Sequence, residues 1–418
     1  MVFNIVTMLK FNLIYLMVYS QESNLTFPSS LLSTLKTLFN FDPNDVGLDP
    51  YEETKNLGYP ALNHYVTTAD GYILTVLQIP HGKYQEYAYS KRPVVYLVPG
   101  FLGTAACFTD NIATSNHALA YSLADAGYDV WILNARGTTF SRGHVVYNSL
   151  TDERFWDFGW HEIGTIDIPT TIDYILELTN QKELNVVGYS QGTTSLLVML
   201  SEKPEYNEKV KVLFALAPMA FLENVNPGLK LLSANYKKLH IILSSLQIFN
   251  IFPHNNALSG PIMATCNYES NQVQLALCET IIESIAGHPQ ETIDPRDLHH
   301  ITSHFPGGAS VQQAVHYAQL INYGGFNKYD YGHYKNLEVY GQISPPSYKL
   351  ENVQKRIYLI YGDGDVIADK QDVLNLYKHL PNAQLWRVNY TLWSHLDFLY
   401  AKNVYNILYK DILEILNR

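Results

Sequence analysis

The part of the chain that most restricts the possible fold is residues 184–200, LNVVGYSQGTTSLLVML. An apolar run leads into the pentapeptide GYSQG at 188–192, and a second apolar run follows it without a break. The first run is typical of a strand buried on both faces, and the second predicts a helix. A direct change from strand to helix favours an α/β protein, in which helices pack against a mostly parallel sheet.

Other short runs of β-branched and aromatic residues extend this pattern. The predicted strands lie at 93–98, 129–133, 185–189, 210–218 and 356–362. Helical spacing at 117–128 and 167–179 separates some of these strands, which favours parallel pairing. At 65–80, Asp70-Gly71 stands between two alternating runs and predicts an antiparallel hairpin at the edge of the sheet.

The strand–helix pattern stops between residues 221 and 345, where Asn, His, Gly and Pro are frequent. Weak helical stretches in this region lie at 228–248, 271–286 and 311–321. A chain of 418 residues can hold one large α/β domain with an insertion, or two separate domains. The simpler prediction is a mostly helical insertion at 221–345 between two parts of one sheet domain, 21–220 and 346–418.

Residues 1–20 have the pattern of a secretory signal. Lys10 precedes an apolar run at 11–19 that is too short to span a bilayer. A buried N-terminal helix is the alternative interpretation. The sequons that begin at Asn24 and Asn389 are candidate glycosylation sites in a secreted chain.

The chain has three cysteines, Cys107, Cys266 and Cys278. In an oxidising compartment the close pair, Cys266 and Cys278, is expected to form a disulfide and to leave Cys107 without a cysteine partner. The sequence has no CxxC, HExxH or Cys/His cluster, so it predicts no metal site.

The charge of the chain excludes some classes of partner. The formal net charge is −11, and no run of Lys or Arg is longer than a dipeptide. Neither the phosphates of a nucleic acid nor anionic lipid headgroups would meet a basic patch. We therefore expect no nucleic-acid partner, and no segment predicts a transmembrane helix.

The pentapeptide GYSQG has a chemical meaning because of its place between a strand and a helix. A serine at such a tight turn sits in a strained backbone conformation, and the flanking glycines let the strand and helix pack closely. The turn puts the hydroxyl of Ser190 at the helix N-terminus, where N–H groups and the helix dipole favour a developing negative charge. The pattern predicts that Ser190 is a nucleophile; an ordinary strand–helix turn is the alternative.

A serine nucleophile needs a base, and the base needs an acid that orients it. In a fold of this kind the chain order is serine, acid, histidine. The candidate acids after the strand at 356–362 are Asp363, Asp365, Asp369 and Asp372. His395 follows the last strand-like run and precedes a helix, whereas His299, His300 and His304 come before the final strands. We therefore predict that His395 is the base.

The negative charge of the reaction needs two N–H donors. One is predicted to be the amide of Gln191, directly after the nucleophile. The other is expected in the loop after the strand at 93–98, where Gly100 permits an unusual backbone conformation and the amide of Phe101 could point into the site. A plain turn at the strand end is the alternative for this loop.

With these residues in view, the sequence resembles the acid lipase family, which includes gastric lipase and lysosomal acid lipase. The similarity covers nearly the whole chain after the predicted signal. It runs through GYP (58–60), TADGYIL (68–74), LADAGYDVWILNARGTTFSR (123–142), IGTIDIPTTIDYI (163–175), VVGYSQGTTS (186–195), ALAPMA (215–220), SVQQAVHYAQLINYGGFNKYDYG (310–332), GDGDVIADKQDV (362–373) and SHLDF (394–398).

This resemblance implies an α/β-hydrolase fold, a mostly parallel sheet with helices on both faces and a helical cap. It implies Ser190 as nucleophile, Asp365 rather than Asp363 as acid, and His395 as base. It also implies a cap and lid within 221–345 that cover the site until a lipid surface is met.

The resemblance assigns the oxyanion amides to Phe101 and Gln191, and it matches Cys266 and Cys278 to the disulfide of the family's cap. One departure lies beside the oxyanion site. The family typically has His-Gly-Leu where this chain has Pro99-Gly100-Phe101. Proline removes an N–H and an imidazole from this loop, but the amide of Phe101 is kept.

The function expected from the residues and the resemblance is hydrolysis of ester bonds in neutral lipids, triacylglycerols and sterol esters, at an oil–water interface. No cofactor is needed, and the protein is expected to be secreted, with the lysosome as the alternative. A soluble carboxylesterase of the same fold would lack the long apolar-rich insertion. A lipid-binding protein of this fold without catalysis would most directly lack a triad member, and all three are present.

Overall fold

The computed structural model describes residues 49–85, 91–113, 118–254 and 293–418. Several predictions fall outside the described residues: the signal at 1–20, the sequon at Asn24, the helical stretch at 271–286 and the disulfide between Cys266 and Cys278.

The centre of the fold is a sheet whose described strands follow the order β1-β2-β4-β3-β6-β7-β10-β11, with β5 beside β2. The strands are β1 Leu62–Thr67, β2 Tyr72–Ile79, β3 Val94–Val98, β4 Asp129–Leu133, β5 Gly143–His144, β6 Leu184–Tyr189, β7 Val210–Leu216, β10 Ile357–Tyr361 and β11 Ala383–Arg387. A separate antiparallel pair is β8 Asn250–Ile251 with β9 Ala309–Ser310.

Pairing within the sheet confirms the predicted arrangement. Each neighbouring pair from β4 through β3, β6, β7 and β10 to β11 is parallel. The hairpin predicted around Asp70-Gly71 is β1 with β2, and it is antiparallel at the edge of the sheet. Every residue of β3, β4 and β6 is buried, whereas β11 at the opposite edge is partly exposed. The continuous apolar runs therefore correspond to strands covered on both faces.

The described residues also form helices. They are α1 Pro50–Asn56, α2 Leu119–Asp125, α3 Trp160–Glu162, α4 Ile168–Thr179, α5 Gln191–Glu202, α6 Pro227–Ala234, α7 Tyr236–Ser245, α8 Leu298–His304, α9 Val311–Tyr323, α10 His333–Tyr340, α11 Lys370–His379, α12 Asp397–Tyr400 and α13 Lys410–Leu416. Shorter helical turns are Ala105–Phe108, Glu153–Trp156, Ile163–Asp167, Pro204–Glu208, Leu350–Asn352 and Tyr405–Tyr409. Within the described residues, no helix is both long and apolar enough to cross a bilayer.

The chain between β7 and β10 contains α6 to α10 and the β8–β9 pair. Helix α9 begins with a capping box, in which the hydroxyl of Ser310 accepts a hydrogen bond from the amide of Gln313 at 3.2 Å. In return the side chain of Gln313 accepts a hydrogen bond from the amide of Ser310 at 3.0 Å. The two hydrogen bonds provide acceptors for backbone amides at the helix start that have no acceptor within the helix.

A buried ion pair joins the edge hairpin to the helix that precedes β6. Arg136 donates to Asp167 from Nε at 2.8 Å and from Nη2 at 2.6 Å, and its Nη1 lies 2.6 Å from Asp70. The side chains of Arg136 and Asp167 are 1% and 0% exposed. Because a buried charge without its partner is costly, this contact ties the turn after β4 to the start of α4.

We predict that Asp167→Asn lowers the free energy of unfolding by about 3 kcal/mol, since it leaves Arg136 buried with less compensation. Chemical denaturation followed by circular dichroism measures this change. The control is Lys209→Ala, which breaks an ion pair with Asp173 whose side chains are 35% and 49% exposed. Its expected cost is about 0–1 kcal/mol. Equal losses in the two variants would contradict the prediction.

Candidate active site

Ser190 is the single residue that connects β6 to α5. Its backbone has φ +52° and ψ −119°, a conformation that non-glycine residues rarely adopt. The amide of Ser190 donates to the carbonyl of Leu216 in β7 at 3.0 Å. Its carbonyl accepts from the amide of Thr193 at 2.9 Å and from the Thr193 hydroxyl at 2.6 Å. Hydrogen bonds on both sides of the serine hold the strained turn in place.

The two glycines of the pentapeptide are required because neighbouring atoms approach their Cα atoms too closely for a side chain. A Cβ at Gly192 would overlap the carbonyl oxygen of Val98 at the end of β3. A Cβ at Gly188 would lie 2.6 Å from a methyl carbon of Leu196 and 3.0 Å from the amide of Thr193. Helix α5 therefore starts directly against the sheet, as the elbow pattern predicts.

The structure brings Ser190, His395 and Asp365 together. His395 Nε2 lies 2.9 Å from Ser190 Oγ, and His395 Nδ1 lies 2.8 Å from Asp365 Oδ2. The three residues are 4%, 6% and 3% exposed. This geometry lets the histidine take a proton from the serine while the carboxylate holds the opposite ring nitrogen.

The remaining oxygen of Asp365 is also occupied. Its Oδ1 accepts hydrogen bonds from the amides of Ile367 at 2.9 Å and Ala368 at 2.8 Å. The carboxylate is thus fixed by the backbone of its own loop, and only Oδ2 faces the histidine.

Asp363, the competing acid, lies in a different environment. Its carboxylate forms an ion pair with Arg387 and lies 3.3 Å from Lys370 Nζ. The hydrogen bond from Arg387 and the nearby Lys370 hold the pKa of Asp363 below its usual range. Its side chain is 23% exposed. Asp363 belongs to a surface ion-pair group, and its described contacts do not include His395.

Glycines also allow the loop that carries Asp365 to pack closely against the loop that carries His395. A Cβ at Gly362 would overlap the carbonyl of Trp393, and a Cβ at Gly364 would lie 2.5 Å from the carbonyl oxygen of Leu392. The amide of Gly364 donates to the carbonyl of Trp393 at 3.0 Å. The sequence GDGD at 362–365 therefore allows two backbone segments to pack closely enough for Asp365 to reach His395.

The loop predicted to complete the oxyanion site follows β3. Residues 100–103 form a turn in which the amide of Gly103 donates to the carbonyl of Gly100 at 3.0 Å, and Leu102 has φ +61°. A Cβ at Gly100 would lie 3.0 Å from Ser190 Cβ, so this loop lies beside Ser190. The amide of Phe101 has no acceptor among the described residues. Gln191 is the first residue of α5, so its N–H has no acceptor within the helix.

Tyr189 and Met219 are site residues that the sequence analysis did not single out. The hydroxyl of Tyr189 donates to the backbone carbonyl of His395 at 2.9 Å, and burial raises the pKa of this tyrosine well above its usual value. The sulfur of Met219 lies 3.1 Å from Ser190 Oγ. Tyr189 occupies one of the two unspecified positions of G-x-S-x-G, directly before Ser190, and Met219 lies shortly after the end of β7; these positions were the available signal in the sequence.

Helix α9 and the segment before it lie directly on this site. Gln313 Nε2 donates to the side-chain oxygen of Gln191 at 3.2 Å. The hydroxyls of Tyr317 and Thr194 lie 3.1 Å apart. The amide of Gly307 donates to the carbonyl of Leu102 at 2.7 Å. This part of the region between β7 and β10 is therefore hydrogen-bonded both to the start of α5 and to the loop after β3.

One group of His and carboxylate side chains in the described ranges is close enough to share a metal ion. Ligand atoms of Glu53, Asp110 and His304 lie within 4.8 Å of one another. His304 Nδ1 is 3.1 Å from Asp110 Oδ2, and its Nε2 is 3.7 Å from Glu53 Oε2. Burial raises the pKa of Glu53 to about 7. These contacts link α1, the turn after β3 and α8, and the group includes no member of the predicted triad.

The sheet order and the strained turn at Ser190 are those of an α/β-hydrolase, and comparison with known families agrees. A family model described as alpha/beta hydrolase fold matches residues 93–399. A second model, described as a partial alpha/beta-hydrolase lipase region, matches residues 51–112. The class predicted from the sequence is confirmed.

Comparison with curated proteins shows which α/β-hydrolases this chain is similar to. Lipase 3 of Drosophila melanogaster is 37% identical over 87% of this chain and 91% of its own length. Gastric triacylglycerol lipase of Bos taurus is 36% identical over 86% of this chain and 88% of its own length. The chain belongs to this family of α/β-hydrolase lipases and is an ester hydrolase.

Solved structures share the fold at lower identity. A soluble variant of monoglyceride lipase from Saccharomyces cerevisiae, in complex with a substrate analogue, superposes with a TM-score of 0.51 and 15% identity. The match covers 85% of this chain and 94% of that chain. It supports the fold alone.

The contacts of the two aspartates generate a test. We predict that Asp365→Asn lowers kcat for ester hydrolysis by roughly 10⁴-fold, because an amide favours the wrong imidazole tautomer. The matched variant Asp363→Asn removes a surface ion pair and is expected to change kcat by less than about threefold. Steady-state kinetics on a soluble ester measures both. Similar losses in the two variants would contradict the assignment of Asp365.

Proposed function

We propose that this protein is a lipase that hydrolyses the ester bonds of neutral lipids, with Ser190 as nucleophile, His395 as base and Asp365 as orienting acid. The observation that carries this proposal is the hydrogen-bond chain from Ser190 Oγ through His395 to Asp365, with contacts of 2.9 and 2.8 Å. All three side chains are withdrawn from water, which would otherwise compete for each hydrogen bond.

The reaction follows from these contacts. Ser190 Oγ attacks the ester carbonyl carbon while His395 Nε2 removes the hydroxyl proton. The negative charge on the carbonyl oxygen is stabilised by the amides of Gln191 and Phe101. His395 then gives the proton to the leaving alcohol, and the acyl group remains on Ser190. Water attacks this acyl ester with the help of His395 and releases the fatty acid. No cofactor takes part.

Asp365 has two tasks in this scheme. Its Oδ2 accepts the Nδ1 proton of His395, so Nε2 is left unprotonated and able to act as the base. When His395 becomes positively charged, the carboxylate stabilises the imidazolium. The amides of Ile367 and Ala368 on Oδ1 keep the carboxylate from rotating away.

The proposed substrates are triacylglycerols, with sterol esters as a further class. Relatives are named gastric triacylglycerol lipase, which supports the first class. The surface of α6 and α7 supports contact with lipid: Leu231, Leu232 and Ile241 are 66%, 40% and 69% exposed. Exposed apolar side chains that cluster on neighbouring elements are typical of sites that meet a partner or a membrane.

We further propose that residues 221–345 form a cap over the site, and that 21–220 and 346–418 form the hydrolase core. Segment 307–320 is held against the elbow and the oxyanion loop, so it serves as the fixed part of the cap. Helices α6 and α7 have few buried residues, Ser233 and Ile242, and are the candidate moving lid. The Cys266–Cys278 disulfide remains a prediction within this region.

The proposed location is outside the cell, with the lysosome as the alternative. The signal pattern at 1–20 supports entry into the secretory pathway. Asn389 is exposed after β11, which makes its sequon accessible to glycosylation.

The proposal predicts how activity depends on the physical state of the substrate. A lid hides an apolar groove in water, whereas a lipid surface favours the open state by contacting that groove. Activity on a short-chain triacylglycerol should therefore rise sharply once the substrate exceeds its solubility and forms droplets. Titrimetric release of fatty acid, measured across the solubility limit, tests this expectation.

Two controls sharpen the measurement. A dissolved monomeric ester should give ordinary saturation with the same preparation. Ser190→Ala should reduce both activities by roughly 10⁴–10⁶-fold while its circular dichroism spectrum stays unchanged. Smooth saturation through the solubility limit would indicate a carboxylesterase with a fixed cap. Hydrolysis by the alanine variant would overturn the role of Ser190.

A further inference from the structure

The nucleophile has a second close neighbour besides His395. Met219 Sδ lies 3.1 Å from Ser190 Oγ, on the loop that follows β7. Thioether sulfur is only a weak hydrogen-bond acceptor, so in this state the hydroxyl of Ser190 donates its hydrogen bond to the imidazole nitrogen at 2.9 Å.

The backbone of Met219 is fixed by the first turn of α5. Its amide donates to the hydroxyl of Thr193 at 3.0 Å. Its carbonyl accepts from the hydroxyl of Thr194 at 2.7 Å. The two threonines lie three and four residues after Ser190, so the loop cannot withdraw the sulfur from Ser190 without breaking these two hydrogen bonds.

We propose that Met219 is an oxidative modification site, at which conversion to methionine sulfoxide by a peroxide reversibly switches off hydrolysis. The sulfur lone pair attacks one peroxide oxygen, the O–O bond breaks, and the second oxygen leaves with the proton as water or an alcohol. Sulfur is oxidised and the peroxide is reduced. The inference rests on the proposed function, since it needs Ser190 to be the nucleophile.

The sulfoxide changes the chemistry of the site in two ways. It converts a weak acceptor into a polar S–O group with a strong acceptor oxygen. That oxygen competes with His395 Nε2 for the proton of Ser190, so attack on the ester loses its general base. The added oxygen also occupies space beside Ser190 Oγ that the ester carbonyl needs.

Access to Met219 follows from access to the nucleophile. Met219 is 7% exposed and Ser190 is 4% exposed. An ester carbonyl must reach Ser190 Oγ for the reaction to occur. A path wide enough for an ester also admits the smaller peroxide, which then reaches Met219 Sδ, 3.1 Å from Ser190 Oγ. Met199 lies in the same helix as Gln191 but is 0% exposed in the core, so it has no such path.

Cys107 does not compete for the oxidant in the same way. Burial raises the pKa of its thiol to about 12, so the reactive thiolate is scarce at neutral pH. The Cys107→Ser variant therefore serves as a control for thiol oxidation.

The experiment treats the full-length protein with hydrogen peroxide and follows residual hydrolysis of a soluble ester. Activity is expected to fall by roughly 10²-fold, the size of a general-base contribution. Peptide mass spectrometry should show one added oxygen on Met219 in proportion to the activity lost. A methionine sulfoxide reductase with a thiol reductant should restore that activity. Met219→Leu, normalised to its own starting rate, should resist peroxide, whereas Met199→Leu and Cys107→Ser should lose activity as fast as the unmodified protein.

Either of two results overturns the proposal: Met219→Leu is inactivated as fast as the parent, or the parent keeps its activity with Met219 fully oxidised. If the leucine variant fails to fold, the proportion between sulfoxide at Met219 and lost activity in the parent decides the question. The activity of Ser190→Ala tests the proposed function separately. If Ser190→Ala still hydrolyses esters, the role of Ser190 as nucleophile is refuted. If Ser190→Ala is inactive but the unmodified protein resists peroxide, only the proposed oxidation of Met219 as a switch is refuted.

Discussion

The strained backbone of Ser190 is the constraint on which the rest of the site depends. Ser190, with φ +52°, is the one residue between the end of β6 and the start of α5. This sharp turn leaves no room for a side chain at Gly188 or Gly192. A strained backbone conformation persists only where contacts with the surrounding structure stabilise it by more than the strain costs. Here the backbone of Leu216 and the side chain of Thr193 supply the opposing hydrogen bonds.

Parallel strands explain why residues far apart in the chain meet at this serine. The carboxyl ends of β3, β6, β7, β10 and β11 lie at the same edge of the sheet because these strands run in one direction. Each end contributes one part of the proposed site: the loop with Phe101, then Ser190, Met219, Asp365 and His395. Ligand and catalytic sites of α/β folds form at this edge for the same reason.

The sequence predicted the parts of the structure that depend on local pattern. Strand β4 occupies the predicted residues 129–133. The triad candidate Ser190 follows a strand predicted from an apolar run, and His395 comes after a run that was predicted to be strand-like. The choice between Asp363 and Asp365 could not come from pattern alone, since both follow β10. It depends on the backbone contact between Gly364 and Trp393, and the contact of Tyr189 with His395 is equally non-local. Helix α10 has no strong apolar periodicity, and the sequence analysis did not predict it.

If Ser190 attacks the ester carbonyl, a reagent that traps the nucleophile must become covalently bound to this residue. An alkyl phosphonate ester that mimics the tetrahedral intermediate is incubated with the protein, and the labelled residue is identified by peptide mass spectrometry. This role of Ser190 predicts one label per molecule, on Ser190, with activity lost in proportion and no label in Ser190→Ala. Full inactivation with the label on another residue, or full activity with Ser190 labelled, would contradict it.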